Sequence, residues 1–424
     1  MPARSLRIAW LGAGPTARET GGVPGVATDL LHGLASRGHR IDCFFPGTGH
    51  LMPARLDGVE NLTFIWGTSE WRWNRWYSRT KIGVFVSGLY SRAVASLRLR
   101  RTVLERHRQE PYDVIYQFSN IESLSVPARM LEEVPLVIHP ETHIAGELRF
   151  LFSERRLSLR CQPAHILAVA AATMAVRALI QRVRVKQASL LICISAVFRD
   201  HLIRDYGFPR EHTVVIPNPV RLERFVEEEA HAPGSPATVL VLGRIAVRKG
   251  VEDVIALAGT LLERGADVRI RVVGGPSLWS DYTKLLEDLP GENSEYAGQV
   301  PPAEVPAELQ RSDILLQASK YEPFALTVAE ALAAGVPVVA TTEVGATEGT
   351  NRNVVATVAP GDVAAMADAI EATLERLRAA PGETRALARA EAERLFSPDL
   401  ICEQISLVLQ ELVEERKPRQ ASPR

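Results

Sequence analysis

The twenty residues from Glu322 to Thr341, E-P-F-A-L-T-V-A-E-A-L-A-A-G-V-P-V-V-A-T, constrain the fold more than any other stretch of the chain. They read as loop, helix, tight turn and buried strand. Leu326 to Ala334 is rich in good helix formers and has no Gly or Pro. Gly335 stands where a helix C-terminal glycine belongs, and Pro337 follows it. Val336 to Ala340 is a short Val-rich run, as in a fully buried parallel strand. Glu322 then lies on the loop before the helix and Glu330 about one turn inside it. One carboxylate can sit at the mouth of a crevice and the other on the helix lining it. A purely structural reading is also open. Thr327-x-x-Glu330 fits a capping box, and Glu322 fits an ordinary solvated loop charge.

The same strand and helix alternation runs along the whole chain. Leu6–Leu11, Arg40–Phe45, Val114–Tyr116, Leu136–His139 and Leu190–Ile194 read as strands, with a helix over Val26–Arg37. This is a βαβ series, hence a parallel sheet covered by helices on both faces. Pro217, Pro219, Pro233 and Pro236, with acidic Glu227–Glu229 between them, look like a linker. A second series follows: strand Thr238–Leu242, helix Val251–Arg264, strand Val268–Val273 and helix Leu278–Leu289. Ser312–Leu316, the Glu322 block and Val354–Val358 complete it, and helices around Thr384–Leu395 and Pro398–Glu414 close the chain. Two doubly wound domains in tandem place a cleft between their strand ends, where ligands bind in such folds.

A chain of 424 residues exceeds what one core usually organises. Its four cysteines are far apart and form no Cys-x-x-Cys, which argues against a zinc module and fits a reducing compartment. The N-terminus enters a strand at once, so no secretory signal is expected. No run of roughly 18 purely apolar residues stands out, so no membrane span is expected. Charge is split: residues 1–225 hold 30 Lys and Arg against 19 Asp and Glu, and the rest hold 19 against 31. Such asymmetry fits one half facing an anionic surface or substrate, or simply two differently charged solvated surfaces.

Gly243-Arg244 ends the first strand of the second series, and Lys249-Gly250 follows before a helix. This G-R-x4-K-G puts two cations on one βα loop. A diphosphate leaving group gains negative charge as its bond breaks, and fixed Arg and Lys can stabilise it without a metal. As mere surface cations they would be poorly placed, because a helix N-terminus is already positive. Gly274-Gly275-Pro276 permits close backbone approach to a ligand, or simply makes a turn. Gly12, Gly14, Gly21 and Gly22 can offer backbone N–H groups to phosphate, although their spacing is not the dinucleotide fingerprint. His139 ends its strand in L-V-I-H-P-E-T-H, either placed for chemistry or held as a structural histidine. His143 is four residues on, but Pro140 works against a helical metal pair. There is no Asp-x-Asp. Ser195 precedes a helix and reads as its N-cap. No Gly-x-Ser-x-Gly elbow or Walker A loop is present.

Together these features resemble the retaining glycosyltransferases of family 4, which have the two-domain GT-B fold. The matching pieces are ordered along nearly the whole chain: G-G-V-P-G-V-A-T-D-L-L-H-G-L-A-S-R-G-H, His139, I-S-A-V-F, I-P-N-P-V-R-L-E-R-F, L-G-R-I-A-V-R-K-G, V-V-G-G-P, Y-A-G-Q-V and the Glu322–Glu330 block. The resemblance implies two Rossmann-like doubly wound domains across a deep cleft. Residues 1–218 would form the acceptor domain and 219–397 the donor domain, with the terminal helix, about 398–424, packing back on the first. Arg244 and Lys249 would bind the nucleotide diphosphate, Glu330 the ribose and Glu322 the transferred sugar. The backbone of Phe324, Ala325 and Leu326 would meet the sugar and phosphates. Gly22, Gly274 and Val300 would also contact the donor, and His139 the transferred sugar. The implied reaction moves a sugar from a UDP- or GDP-sugar by same-face displacement, with no metal, no cofactor and no nucleic-acid partner.

Two positions depart from the pattern. Ala325 stands where the family commonly has Gly, which is strained if the backbone there needs φ > 0. Pro219 follows Asn218 in place of the usual Gly. Acceptors in this fold bind mainly to the first domain, and a lipid-linked group, a saccharide or a small natural product all fit. Between Arg149 and Lys186 eight basic residues and one acidic residue flank the apolar stretch Ile166–Val176. That composition suits an interfacial helix on anionic lipid at the inner face of a membrane, and a core helix with solvated basic ends fits it slightly better. The aromatic stretch Trp71–Tyr77 fits an acceptor site, a headgroup anchor or plain packing. Other functions on this fold are a sugar-nucleotide epimerase and a non-catalytic sugar-nucleotide-binding scaffold.

Overall fold

The computed structural model describes residues 4–15, 22–46, 53–67, 94, 97–123, 126–225, 232–276 and 281–420. Two separate sheets organise them, and every strand pairing is parallel. The first contains Arg7–Gly12 (β1), Arg40–Pro46 (β2), Leu62–Gly67 (β3), Val114–Phe118 (β4), Leu136–His139 (β5), Leu190–Cys193 (β6) and Thr213–Val215 (β7). Their order is β3-β2-β1-β4-β5-β6-β7. The second contains Ala237–Leu242 (β8), Val268–Val273 (β9), Ser294–Gly298 (β10), Ile314–Gln317 (β11), Val338–Thr341 (β12) and Val355–Val358 (β13). Their order is β10-β9-β8-β11-β12-β13.

The central strands are apolar on both faces because helices cover both. Every residue of β4, β5, β11 and β12 is buried. In each sheet the winding reverses beside the first strand, between β1 and β4 and between β8 and β11. The loops leaving those neighbours diverge, and a crevice opens at the carboxyl ends of the strands.

The terminal helix Pro398–Gln420 crosses back to the first domain. Its Ile401, Cys402, Ile405, Leu409 and Val413 share a core with Val26, Leu30 and Leu34 of helix Val23–Ser36. His39 bonds Ser406 at 2.7 Å, and Gln410 donates to the Arg4 carbonyl at 2.9 Å.

Several expectations are corrected. The helix over Leu278–Leu289 is only a tight six-residue 3-10 helix, Thr283–Asp288, among the described residues. The sequence reading did not register β3, β7 and β10, which are short or half-buried and carry weak patterns. Helix Ala164–Val185 is long and apolar enough, by length and composition, to cross a membrane, and only 6% of its most apolar window is buried. It is therefore not a core helix. Its inward face carries Val185 and Gln181, both buried, with half-buried Met174 and Arg177, and a second apolar row, Val169, Val176, Leu179 and Val183, is exposed. The Trp71–Tyr77 stretch lies outside the described residues.

Candidate active site

Strands β8 and β11 are neighbours, so the loops after them meet at the reversal point of the second sheet. The first loop carries Gly243 and Arg244, then turns through Val247–Lys249 into helix Val251–Glu263. The second runs through Tyr321 and Glu322 into helix Leu326–Ala333. Glu322 is pinned by its backbone: its N–H donates to Glu343 O at 3.0 Å, and its carbonyl accepts from Gly345 N at 3.1 Å. Its carboxylate accepts from Arg248 Nη1 at 2.7 Å and pairs, through the same oxygen, with Lys249 Nζ. Burial alone would raise the Glu322 pKa. Arg248 and then Lys249 outweigh it and hold the group down at about 2. Burial shifts Lys249 below its ordinary range, against the pull of Glu322.

Arg244 is exposed and forms no ion pair among the described residues. With Gly243, Lys249, Gln317 and Ala318 it lines a small cavity at the strand ends. The Gly274 turn closes against this loop. A Cβ at Gly274 would lie 1.7 Å from the Gly243 carbonyl oxygen, so only glycine fits there. Tyr296 donates its hydroxyl to Gly274 O at 2.8 Å. Val300, two residues past β10, is half-buried against the main core.

The helix at Leu326 starts without a side-chain cap. Its N-cap position is Ala325, at φ 78° and ψ 80°, so the positive φ feared for this alanine is real. Thr327 donates instead to Gln317 Oε1 at 3.3 Å, and the capping box is not formed. The Phe324 ring is buried edge-on to Phe396, with centroids 5.6 Å apart, so only its backbone is available to a ligand. Leu326 packs against the cores of both domains, which sets this helix start facing the first domain. Glu330 is largely buried, and its nearest cation is Arg224 at 3.9 Å. Burial pushes it up to about 7, with Arg224 acting in the opposite direction.

Across the interface, Gly22 caps helix Val23–Ser36 at φ 80° with open space around its Cα. Gly21 lies outside the described residues. His139 sits at the end of β5 with no exposed surface. Its Nδ1 bonds the Tyr116 hydroxyl at 2.6 Å, and its Nε2 lies 3.5 Å from Glu141 Oε1. Burial keeps the ring neutral, with a pKa near 3, and pushes Glu141 up to about 8. Asn218 donates to Glu141 at 2.8 Å, tying the linker to the end of β5. His143 faces Asp205 at 3.0 Å and Tyr321 at 2.9 Å, away from His139.

Arg244, Lys249, Glu322 and Gly274 thus gather at one end of the second sheet, with Phe324–Leu326 and Glu330 beyond them. His139 lies at a strand end of the first sheet and Gly22 at the start of its helix Val23–Ser36, and no hydrogen bond or ion pair among the described residues joins them to that group. Sequence reasoning passed over Arg248, hidden among the variable positions of G-R-x4-K-G. It also missed Glu348, whose carboxylate accepts from Ala196 N at 2.6 Å and Val197 N at 2.7 Å and so caps a first-domain helix from the second domain.

Residues 223–388 match the family model for glycosyl transferases group 1, and residues 20–224 match that for glycosyltransferase family 4. The chain belongs to the family 4, group 1 glycosyltransferases. This glycosyltransferase is 30% identical over 246 residues to a glycogen synthase of Mycobacterium tuberculosis, covering 57% of this chain and 58% of that one. It is 30% identical over 179 residues to a mannosylfructose-phosphate synthase of Agrobacterium fabrum, covering 37% and 38%. The matches span less than two thirds of these curated relatives. Among solved structures, Anabaena HepE in complex with UDP superposes with a TM-score of 0.62 at 19% identity, over 96% of this chain and 100% of that one. At that identity the likeness speaks for the GT-B fold of the glycosyltransferase.

Proposed function

We propose that this glycosyltransferase moves a sugar from a UDP- or GDP-sugar to an acceptor hydroxyl with retention of anomeric configuration. The observation that carries the reading is the Glu322 carboxylate gripped by Arg248 and Lys249, with Arg244 beside them, at the reversal point of the second sheet. Fixed cations in a partly dry site stabilise a departing diphosphate without reorganisation. Lys249 and Arg244 are assigned to the diphosphate, Glu322 to the sugar hydroxyls and Glu330 to the ribose. The N–H groups at the start of helix Leu326–Ala333 are directed to phosphate or sugar oxygens. Gly22 would approach the phosphate from the first domain, and His139 the transferred sugar. The UDP held by HepE supports a uridine nucleotide.

In the reaction, the bond from the anomeric carbon to the β-phosphate oxygen breaks as the acceptor oxygen bonds the same face. The acceptor proton passes to the departing phosphate. The cations supply the charge neutralisation that a metal supplies elsewhere, so none is required. A lipid-linked group, a saccharide and a small natural product all remain acceptor classes. Ala325 favours one other reading, a protein that binds the donor without transferring it, because its methyl narrows the pocket on a strained backbone.

The test is a thermal-shift panel of UDP-, GDP-, ADP- and dTDP-sugars, with and without EDTA. A UDP- or GDP-sugar is expected to raise the melting temperature equally in both conditions. No shift with any donor would sink the assignment, and a shift lost in EDTA would contradict the metal-free reading. Binding without transfer or slow donor hydrolysis would favour the scaffold.

A further inference from the structure

Helix Ala164–Val185 turns a mixed face to the protein. Val185 is fully buried and Leu167, Ala170, Ala171, Met174 and Ala178 are half-buried. Among them Gln181 accepts from the Tyr206 hydroxyl at 2.6 Å and from Ile144 N at 3.3 Å, and Arg177 pairs with Glu122 at 2.8 Å. A second apolar row faces out at helical spacing. Val169, Val176, Leu179 and Val183 are 47%, 59%, 64% and 57% exposed, with Ala168, Ala172 and Ala175 between them. An ordinary surface helix has polar residues on its outward face. Phe152 and Leu159, just upstream, are also exposed.

The surrounding charge names the partner. From Arg155 to Arg199 the sequence contains no Asp or Glu. Arg156, Arg182 and Lys186 are exposed and form no salt bridge among the described residues. On a helical wheel Lys186 falls beside Leu179 on the exposed apolar stripe, and Arg182 at its edge. An apolar stripe with cations and no anions matches an anionic lipid surface. A second copy docked on this face would set the same cations against each other. Crossing the bilayer is blocked at both ends. Upstream, Ser158 bonds the Tyr282 hydroxyl of the second domain at 2.9 Å, and downstream the chain enters β6 within the sheet.

We propose that this helix, about 33 Å long, lies flat in the headgroup region of an anionic bilayer and docks the protein there. The proposal goes beyond the donor-site reading and does not rest on it. The test mixes the full chain, without any nucleotide sugar, with phosphatidylcholine vesicles that contain or lack phosphatidylglycerol. The protein is expected to float only with the anionic vesicles and to dissociate in high salt. Val176→Asp with Leu179→Asp, and separately Arg182→Glu with Lys186→Glu, are expected to cut partitioning roughly tenfold or more. The melting temperature should be unchanged, because all four side chains are exposed. The proposal is overturned by failure to float with anionic vesicles, or by flotation that the Asp pair leaves intact. It is equally overturned by a lipid-free dimer that the Asp pair dissolves. None of these outcomes bears on donor binding, which the thermal-shift panel reads separately.

Discussion

Ser195, at the head of a first-domain helix, donates its hydroxyl to the carbonyl oxygen of Pro323, the residue after Glu322, at 2.8 Å. The same oxygen atom of Ser195 accepts from Phe198 N at 3.0 Å and so caps its own helix. On the other side of Glu322, Tyr321 bonds His143 and stacks on His201, with centroids 4.7 Å apart. Both neighbours of the site carboxylate are thus fastened to the opposite domain. Ser195→Ala is expected to cost about 1–2 kcal/mol of stability, as for a lost N-cap. It should also weaken donor binding, because the Glu322 loop loses its tether. Thermal melts and nucleotide titrations read both effects. A lower melting temperature with unchanged affinity would make the contact a scaffold only.

Lys249 and Arg248 share Glu322 but should separate on mutation. Lys249→Ala is expected to lower turnover by roughly a hundredfold or more, the usual loss when a group that neutralises developing charge is removed. Stability should suffer less, since Arg248 still pairs with Glu322. Arg248→Ala breaks a largely buried pair and frees the Tyr321 carbonyl that Arg248 holds at 3.1 Å. It should cost on the order of 3 kcal/mol. Adding Glu322→Gln should recover part of that loss, because partners in one network are not additive. Melting curves of the two single variants and the double variant decide this.

Glu330 gives the protein a pH signature. Its folded pKa, about 7, lies above its ordinary value near 4.5. Between those values the folded chain keeps a proton that the unfolded chain has lost. Its contribution to stability is therefore complete below that window and disappears as pH rises through about 7. Glu141, pushed up to about 8, acts with the same sign. Ribose hydroxyls need the ionised carboxylate as acceptor, so nucleotide affinity should rise over the same range in which stability falls. Glu330→Gln should flatten the affinity profile between about pH 6 and pH 8. Calorimetric titrations across that range would show an unchanged slope if the carboxylate does not touch the nucleotide.

Ala325→Gly relieves a left-handed backbone. A non-glycine residue pays about 1–2 kcal/mol there, and the extra freedom of unfolded glycine returns about 0.4–1 kcal/mol of it. The variant should be neutral to about 1.5 kcal/mol more stable, and the lost methyl should admit donors with bulkier sugars. A clear drop in melting temperature would show that the buried methyl matters more than the strain.

The two parallel sheets were legible because alternating Val-rich runs and helix formers write βαβ units locally. The Ser195 cap was legible for a similar reason, since it depends on a few adjacent residues, whereas the left-handed backbone at Ala325 was raised only as a condition, by the glycine that the resembled family has there. Arg248 was not, because nothing in its neighbours says which of four loop positions turns toward a carboxylate 74 residues away. Glu348 was hidden in the same way, since capping a helix from another domain leaves no local trace. The orientation of helix Ala164–Val185 was ambiguous on composition alone. The burial of Val185 and the contacts of Gln181 and Arg177 reveal which face turns inward.

Helix Pro398–Gln420, which follows the second sheet in sequence, fills a face of the core built around Val26 and Leu30, so the first domain is incomplete until that helix has left the ribosome. A nascent first domain carries bare apolar surface throughout synthesis of the second. Cutting the chain in the linker should yield no independently soluble first half, whereas a permuted chain that begins at Pro398 and continues into Arg4 would assemble that half in order.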